Sequence, residues 1–194
     1  IALYASLFPN ATSAQIREAL LTSATFTASL NNLVASDGRL NIPAMLAVAP
    51  PVTQFADWLD GSNNADNLSG LGGNDTLKAD DGADTLAGGL GADSLIGGAG
   101  VDLVSYAGVT GAVTVNLALT AAQVTGGAGT DTLATIENLV GSGFADNLTG
   151  STGANVLEGG AGADSLTGGA GADSLYGGAD NDLFVVALAG DVVT

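Results

Sequence analysis

Residues Gly159 to Tyr176 read GGAGADSLTGGAGADSLY, which is one nine-residue unit written twice with a single change. Glycine occupies the first, second and fourth positions of the unit, aspartate the sixth and leucine the eighth. The glycines allow the positive φ angles of a tight turn, and the last three residues suit a short extended segment with one side chain on the inner face. Each unit therefore predicts a turn followed by a strand.

The same phase extends far beyond these two units. Five units tile residues 61–105, one stands alone at 126–134, and five tile residues 141–185. Asp57 and Leu59 continue the first run backwards. The sixth positions of the eleven units are occupied by Asp66, Asp75, Asp84, Asp93, Asp102, Asp131, Asp146, Asn155, Asp164, Asp173 and Asp182.

Two consecutive units make one flattened coil with a strand on each side. Stacking such coils brings residues 18 apart into register and encloses a thin apolar core. We therefore predict a mainly β protein, a right-handed parallel β-roll (β-solenoid), preceded by a small α-helical segment. The sixth-position side chains then form two rows, one along each edge of the roll.

These rows of carboxylates need a counter-charge. Neighbours about 5 Å apart repel by about 3 kcal/mol at an effective dielectric constant of about 20. After Asp57 the sequence offers one lysine, Lys78, and no arginine. Because the chain has no His or Cys and the donors are carboxylate and carbonyl oxygens, Ca²⁺ is favoured over Mg²⁺, which demands a tighter octahedron. The sequence therefore predicts calcium between the coils.

The predicted metal ligands are Asp57 and the eleven sixth-position residues. Asn155 can donate an oxygen but no charge, so its site should be the weakest of the second run. Turn carbonyls are expected to complete the coordination near Gly88, Gly91, Gly97, Gly100, Gly159, Gly162, Gly168, Gly171 and Gly177.

The units resemble the RTX (haemolysin-type) repeat, a nonapeptide known to bind calcium in a β-helix. The resemblance covers residues 57–185. It implies calcium ions held between successive turns by the sixth-position aspartates and turn carbonyls of two stacked coils. It also implies export by a type I secretion machinery and folding outside the cell or at its surface.

Charge and composition limit the other functions. The net charge is −17, and residues 1–56 sum to zero, so the whole excess lies from Asp57 onward. Nucleic acid and anionic membranes are therefore disfavoured as partners. The absence of cysteine excludes disulfides, and no apolar stretch is long enough to span a membrane. A monomer without a signal peptide in this stretch is expected.

Residues 1–50 resemble the carboxyl end of a subtilisin-like (S8) serine protease domain in the segments FPNAT, AQIREALLTSAT and GRLNIPAML. The resemblance implies a secreted serine endopeptidase as the parent protein. The GTSMA-type nucleophile motif and every histidine are missing, so no catalytic triad can form here and no catalytic residue is assigned. A small helical cap for the roll, or a spacer of an adhesin-type surface protein, are the alternatives.

We divide the chain accordingly. Residues 106–140 form a spacer in which Val113, Val115, Leu117 and Leu119 alternate, and this alternation predicts a half-buried strand covering the roll. The predicted segments are the protease-like end 1–50, a linker and roll entry 51–60, a first block 61–105, the spacer 106–140 with its lone unit 126–134, a second block 141–185, and the truncated start of a further unit 186–194.

Overall fold

The structure is a computed structural model that describes residues 54–186 and 190–194. The protease-like end 1–50 and the α-helical segment predicted there lie outside the described residues. The described part belongs to the second of the chain's two units, Val52–Thr194. Within residues 54–186 and 190–194 every regular element is a strand, so no helix there could span a membrane.

Eighteen short strands make up the described part. In chain order they are β1 (Trp58–Asp60), β2 (Asn67–Ser69), β3 (Thr76–Lys78), β4 (Asp81–Gly82), β5 (Thr85–Ala87), β6 (Ser94–Ile96), β7 (Ala99–Gly100), β8 (Leu103–Ser105), β9 (Thr114–Asn116), β10 (Gln123–Val124), β11 (Thr130–Ala134), β12 (Asn138–Val140), β13 (Asn147–Thr149), β14 (Val156–Ala161), β15 (Ser165–Thr167), β16 (Ser174–Ala179), β17 (Leu183–Val185) and β18 (Val192–Val193).

Most of the strands form two opposite sides of the roll, here called walls, as the nonapeptide phase predicts; β4 and β7 pair only with each other. One wall is a continuous seven-stranded parallel sheet, β2-β5-β8-β12-β14-β16-β18. The other wall consists of the sheet β1-β3-β6-β11-β10 and the sheet β9-β13-β15-β17. Within each block, residues 18 apart are paired, for example Leu77 with Leu95 and Leu157 with Leu175. The predicted parallel β-roll is confirmed.

The core is a thin layer between the walls. Each coil contributes the eighth-position side chains of its units, and each stacks on its equivalent in the next coil. Most of these side chains, together with Leu139 of the spacer, are almost completely excluded from water; the set is Leu77, Leu86, Leu95, Val104, Leu133, Leu139, Leu148, Leu157, Leu166 and Leu175.

The spacer is built into both walls of the roll and does not cover it. Strand β9 pairs with β13 and places Val115 against Leu148, while β11 pairs with β6 and places Leu133 against Leu95. The alternation predicted a longer covering strand; this is wrong, since Leu119 is 46% exposed. On the opposite wall β12 pairs directly with β8, so the two blocks share one sheet.

The last residues continue the same register. Strand β18 pairs with β16 and places Val193 beside Leu175. Residues 192 and 193 therefore extend the seven-stranded sheet by one strand; that the segment 186–194 begins a further unit stays a prediction.

The close stacking of turns generates a stability prediction. Gly91 has a φ of +145°, and a Cβ atom on it would overlap the carbonyl oxygen of Gly73 one coil earlier. Gly91→Ala should lower the free energy of unfolding by more than about 1 kcal/mol. Gly108→Ala is the matched control, because a Cβ there meets nothing within 4 Å. Urea unfolding in saturating calcium measures both, and equal midpoints would contradict the close stacking.

Candidate metal sites

The sixth-position carboxylates are held in place by the backbone of the preceding coil. In the regular coils Oδ1 accepts the N–H of the residue 18 positions earlier: the Asp75 N–H donates to Asp93 Oδ1 at 2.8 Å and the Asp84 N–H donates to Asp102 Oδ1 at 2.9 Å. Asp146 Oδ1 instead accepts the N–H of Val113 in the spacer, at 2.7 Å. The second block repeats the contact, with the Asp146 N–H donating to Asp164 and the Asp164 N–H to Asp182. Each row of acids is therefore a ladder in which one carboxylate oxygen is satisfied by an amide.

The second oxygen of many of these carboxylates has no protein partner. Burying a charged oxygen without a hydrogen bond is costly, so each such atom calls for a cation or a donor. Among the described residues, the buried carboxylate oxygens without a hydrogen-bond partner are Oδ2 of Asp75, Asp84, Asp93, Asp102, Asp164 and Asp173. All six belong to the predicted metal ligands.

A turn carbonyl from the next coil approaches some of these oxygens. A Cβ atom on Gly70 would overlap Asp75 Oδ2 and would lie 2.6 Å from the carbonyl oxygen of Gly88. Gly159 shows the same arrangement with Asp164 Oδ2 and with the Gly177 oxygen, at 2.7 Å. The carboxylate and carbonyl oxygens therefore lie on the same side of the glycine and near each other, as two ligands of one Ca²⁺ must, since each lies about 2.3–2.6 Å from the ion.

The remaining predicted carbonyls lie in the stacked turns. Gly97 faces Asp102 Oδ2, and the Gly159 and Gly168 oxygens approach Asp146 and Asn155. Gly91, Gly100 and Gly171 lie against the fourth-position carbonyls one coil earlier, and Gly162 lies against the backbone at Phe144 and Ala145. Their role as ligands stays a prediction.

The donor set is mostly backbone oxygen. Among the described residues no three acidic side chains come together as a metal cluster. A cation between two coils would therefore take one or two carboxylates and complete its shell with carbonyl oxygens. Ca²⁺ accepts six to eight such oxygens in flexible geometry, whereas Mg²⁺ requires a near-ideal octahedron. The residues present fit calcium.

Turns that begin Gly-Ser supply their own donors. Ser62 donates its N–H (2.6 Å) and its hydroxyl (2.9 Å) to Asp66 Oδ2. Ser142 donates its N–H to Asp146 Oδ2 at 2.5 Å and its hydroxyl to Oδ1 at 2.8 Å. Ser151 donates its N–H to Asn155 Oδ1 at 2.7 Å. These three predicted ligands have less need of a cation than the six unpartnered ones.

Asn155 also has a reason to be an amide. Its side-chain nitrogen donates to the carbonyl oxygen of Glu137 at 2.5 Å, which an aspartate could not do. The uncharged Asn155 side chain therefore forms a hydrogen bond between the second block and the spacer.

Asp131 has protein partners on both oxygens. Oδ1 accepts the N–H of Asp93 at 3.0 Å, and Oδ2 accepts the hydroxyls of Thr125 at 3.0 Å and Tyr106 at 3.2 Å. Burial raises the pKa of Asp131, and burial beside Asp131 raises the pKa of Tyr106. The sequence predicted Asp131 as a metal ligand, and this stays a prediction; in the structure two hydroxyl groups donate to its Oδ2.

Two acidic residues outside the predicted ligand set also belong to the ladders. Asp191 Oδ1 accepts the N–H of Asp173 at 3.1 Å, and Glu137 Oε2 accepts the N–H of Asp102 at 2.9 Å. Asp191 could have been found by counting 18 residues on from Asp173. Glu137 breaks the nine-residue phase, so its spacing gave no signal.

Burial also changes the acidity of the rows. It raises the pKa of Asp93 to about 6, and the neighbouring charges of Asp131 and Asp75 add to the effect. Burial likewise raises the pKa of Asp75, Asp102 and Asp164. These carboxylates are harder to ionise in the fold than in water, because burial removes the hydration that favours the charged form.

The Tyr106 contact generates a testable expectation. Tyr106→Phe removes one of the two hydroxyls on buried Asp131 Oδ2 and should lower the free energy of unfolding by about 1–3 kcal/mol, without changing the number of bound calcium ions. Tyr176→Phe is the matched control, because Tyr176 is 42% exposed. Unfolding and calcium counts on both variants measure the effect; a lost ion in Tyr106→Phe would contradict it.

Comparison with known proteins agrees with the geometry. No curated protein is significantly similar to the chain. A family model, described as the RTX calcium-binding nonapeptide repeat (4 copies), matches residues 53–77, 78–108, 140–175, 149–184 and 159–191, which together cover more than half of the chain. The chain therefore belongs to the family of RTX calcium-binding nonapeptide repeat proteins.

Proposed function

We propose that this chain is the calcium-dependent folding module of a secreted protein. The observation that carries the proposal is the set of six buried Oδ2 atoms without a protein partner, at Asp75, Asp84, Asp93, Asp102, Asp164 and Asp173. Buried anions of this kind destabilise a fold until a cation meets them. The chain supplies one lysine after Asp57, and Lys78 is already paired with Asp80 and Asp60.

The coupling makes calcium a switch between two states. Without calcium, the repulsion within a −17 chain and the thin core favour an extended state. With calcium, the free energy of binding becomes free energy of folding. Sites of this kind in extracellular modules have dissociation constants of about 10⁻⁴ to 10⁻³ M, so they would stay empty in the cytosol and fill outside the cell.

Secretion follows from this logic as part of the proposal. A chain that cannot fold where calcium is scarce remains extended and suits export through a type I machinery. Folding outside the cell would then stabilise the protein to which the module belongs and prevent its return. The uneven charge, which begins at Asp57, supports a module whose switch is confined to the repeats.

The parent protein is a separate proposal. The segments FPNAT, AQIREALLTSAT and GRLNIPAML favour a secreted subtilisin-like serine endopeptidase, of which residues 1–50 would be the end of the catalytic domain. The competing candidate is an adhesin-type surface protein that uses the roll as a spacer. An upstream sequence with an aspartate, a histidine and a GTSMA-type serine, together with casein hydrolysis by the full-length protein, would separate the two.

The folding proposal is tested by titrating the chain with calcium and following its circular dichroism. The chain in chelator should lack the β signal and gain it cooperatively with calcium, because coils that share an ion order one another. Magnesium at the same concentration is the control and should leave the chain unfolded. An equal β signal in chelator and in calcium would contradict the proposal.

The raised pKa of Asp93 predicts how pH acts. The pKa of Asp93 is 3.8 in an ordinary setting and about 6 when the side chain is buried in the roll, so its protonation contributes stability that is fully present below pH 3.8 and is lost as pH rises through 6. Calcium needs the ionised carboxylate. Its affinity at this site should therefore fall by up to about tenfold for each pH unit below 6.

Calcium titrations at about pH 7 and about pH 5 measure this dependence. Asp93→Asn is the control, because it removes the titrating group and should abolish the part of the pH dependence centred near 6. The same pH dependence in both proteins would show that Asp93 does not hold calcium.

A further inference from the structure

An unpartnered carboxylate lies where the first block meets the spacer. Asp102 is completely buried, its Oδ1 accepts the N–H of Asp84 at 2.9 Å, and its Oδ2 has no hydrogen-bond partner. In a regular stack the next coil would present a glycine carbonyl to this oxygen. No repeat unit occupies that place, because Asp102 is followed by the spacer.

The spacer residue Thr135 takes the place of that glycine. A Cβ atom on Gly97 would overlap both Asp102 Oδ2 and the carbonyl oxygen of Thr135, just as a Cβ on Gly70 would meet Asp75 Oδ2 and the Gly88 oxygen. Thr135 adopts a φ of +53°, which is uncommon for a β-branched residue. Its hydroxyl accepts the N–H of Gly98 at 2.8 Å and so fixes the turn against the first block.

Glu137 takes the place of the sixth-position aspartate. In a regular unit five positions separate the first glycine from the aspartate; here two separate Thr135 from Glu137, and β12 begins at once. The side chain of Glu137 is one methylene longer than that of aspartate, which offsets the shortened turn. Its Oε2 accepts the Asp102 N–H at 2.9 Å, as Oδ1 does elsewhere, so the Glu137 carboxylate lies beside the backbone of Asp102.

We propose that Asp102 Oδ2, the carbonyl oxygen of Thr135 and the carboxylate of Glu137 form a further calcium site that the spacer completes. The proposal rests on the proposed function, since it assumes that calcium fills the repeat sites. Thr135 and Glu137 lie between the ranges 78–108 and 140–175 that match the repeat family, so the motif does not assign them.

The site has a structural purpose. Strand β12 pairs with β8, with Asn138 opposite Leu103, and this pairing is the joint through which the seven-stranded sheet passes from one block to the other. An ion held by Asp102 at the end of one turn and by Thr135 and Glu137 at the start of β12 ties the two sides of that joint. Calcium would thus couple the folding of the blocks to each other.

Asp131 provides the contrast that makes the inference specific. It also lies where the spacer joins the first block, but hydroxyl groups of Thr125 and Tyr106 satisfy its Oδ2. Asp102 Oδ2 is equally buried and has no such donor among the described residues. A cation is therefore expected at Asp102 and none at Asp131.

The test counts bound calcium by native mass spectrometry on the full chain at the lowest calcium concentration that saturates the wild type. Glu137→Gln keeps an oxygen to accept the Asp102 N–H but loses the charge, and it should hold one ion fewer per chain. Glu158→Gln is the matched control, because Glu158 is exposed and in strand β14; it should keep the wild-type count.

Asp102→Asn is the second variant, in case Glu137→Gln fails to fold, and it should also lose one ion. The double variant Asp102→Asn/Glu137→Gln should lose the same single ion, because both residues hold it. A wild-type count in both single variants, or a loss of two ions in the double variant, would overturn the proposal. A wild-type chain that binds no calcium would instead refute the proposed function itself.

Discussion

The structure depends on how one buried oxygen per turn is satisfied. Each regular coil needs its sixth-position carboxylate, because Oδ1 accepts a backbone N–H of the coil before it. The same geometry buries Oδ2 away from water, where a lone negative charge is costly. The leucine rows alone are a thin core, so the fold can be stable only where something positive or a hydrogen-bond donor meets that oxygen.

The chain meets this requirement in different ways along its length. Within the repeats the oxygens of Asp75, Asp84 and Asp164 are left to a cation. Where a turn begins with Gly-Ser, the serine amide and hydroxyl bind the carboxylate directly. In the spacer, Tyr106 and Thr125 do so for Asp131. In the proposed account, calcium dependence is thus a local property of each turn, decided by one or two side chains.

The regular part of this fold could be predicted from the sequence because its information is local and periodic. The identity of the units at Gly159 and Gly168 fixes the 18-residue register, and that register places Leu157 on Leu175 and Asp164 beside Asp146. The same counting would have found Asp191. The prediction of calcium followed from residue chemistry, because rows of carboxylates with only one lysine and no arginine beside them need a bound cation to balance their charge.

The spacer could not be predicted in the same way. The pairing of β8 with β12 skips the whole segment between them, and no periodic pattern encodes such a jump. The partners of Asp131 include Tyr106, 25 residues away and outside any repeat. Glu137 accepts the Asp102 N–H as a sixth-position aspartate would, although it lies outside the nine-residue phase, because its longer side chain offsets the shortened turn. These features arise from tertiary contacts and become visible only in three dimensions.

The most direct test of this account is the anomalous diffraction of crystals grown in calcium, which locates each ion. The account predicts anomalous peaks beside Oδ2 of Asp75, Asp84, Asp93, Asp102, Asp164 and Asp173, between stacked turns, and no peak beside Oδ2 of Asp131. Peaks at Asp131, or a folded roll whose six unpartnered oxygens carry no ion, would contradict the claim that calcium supplies what the protein's own donors do not.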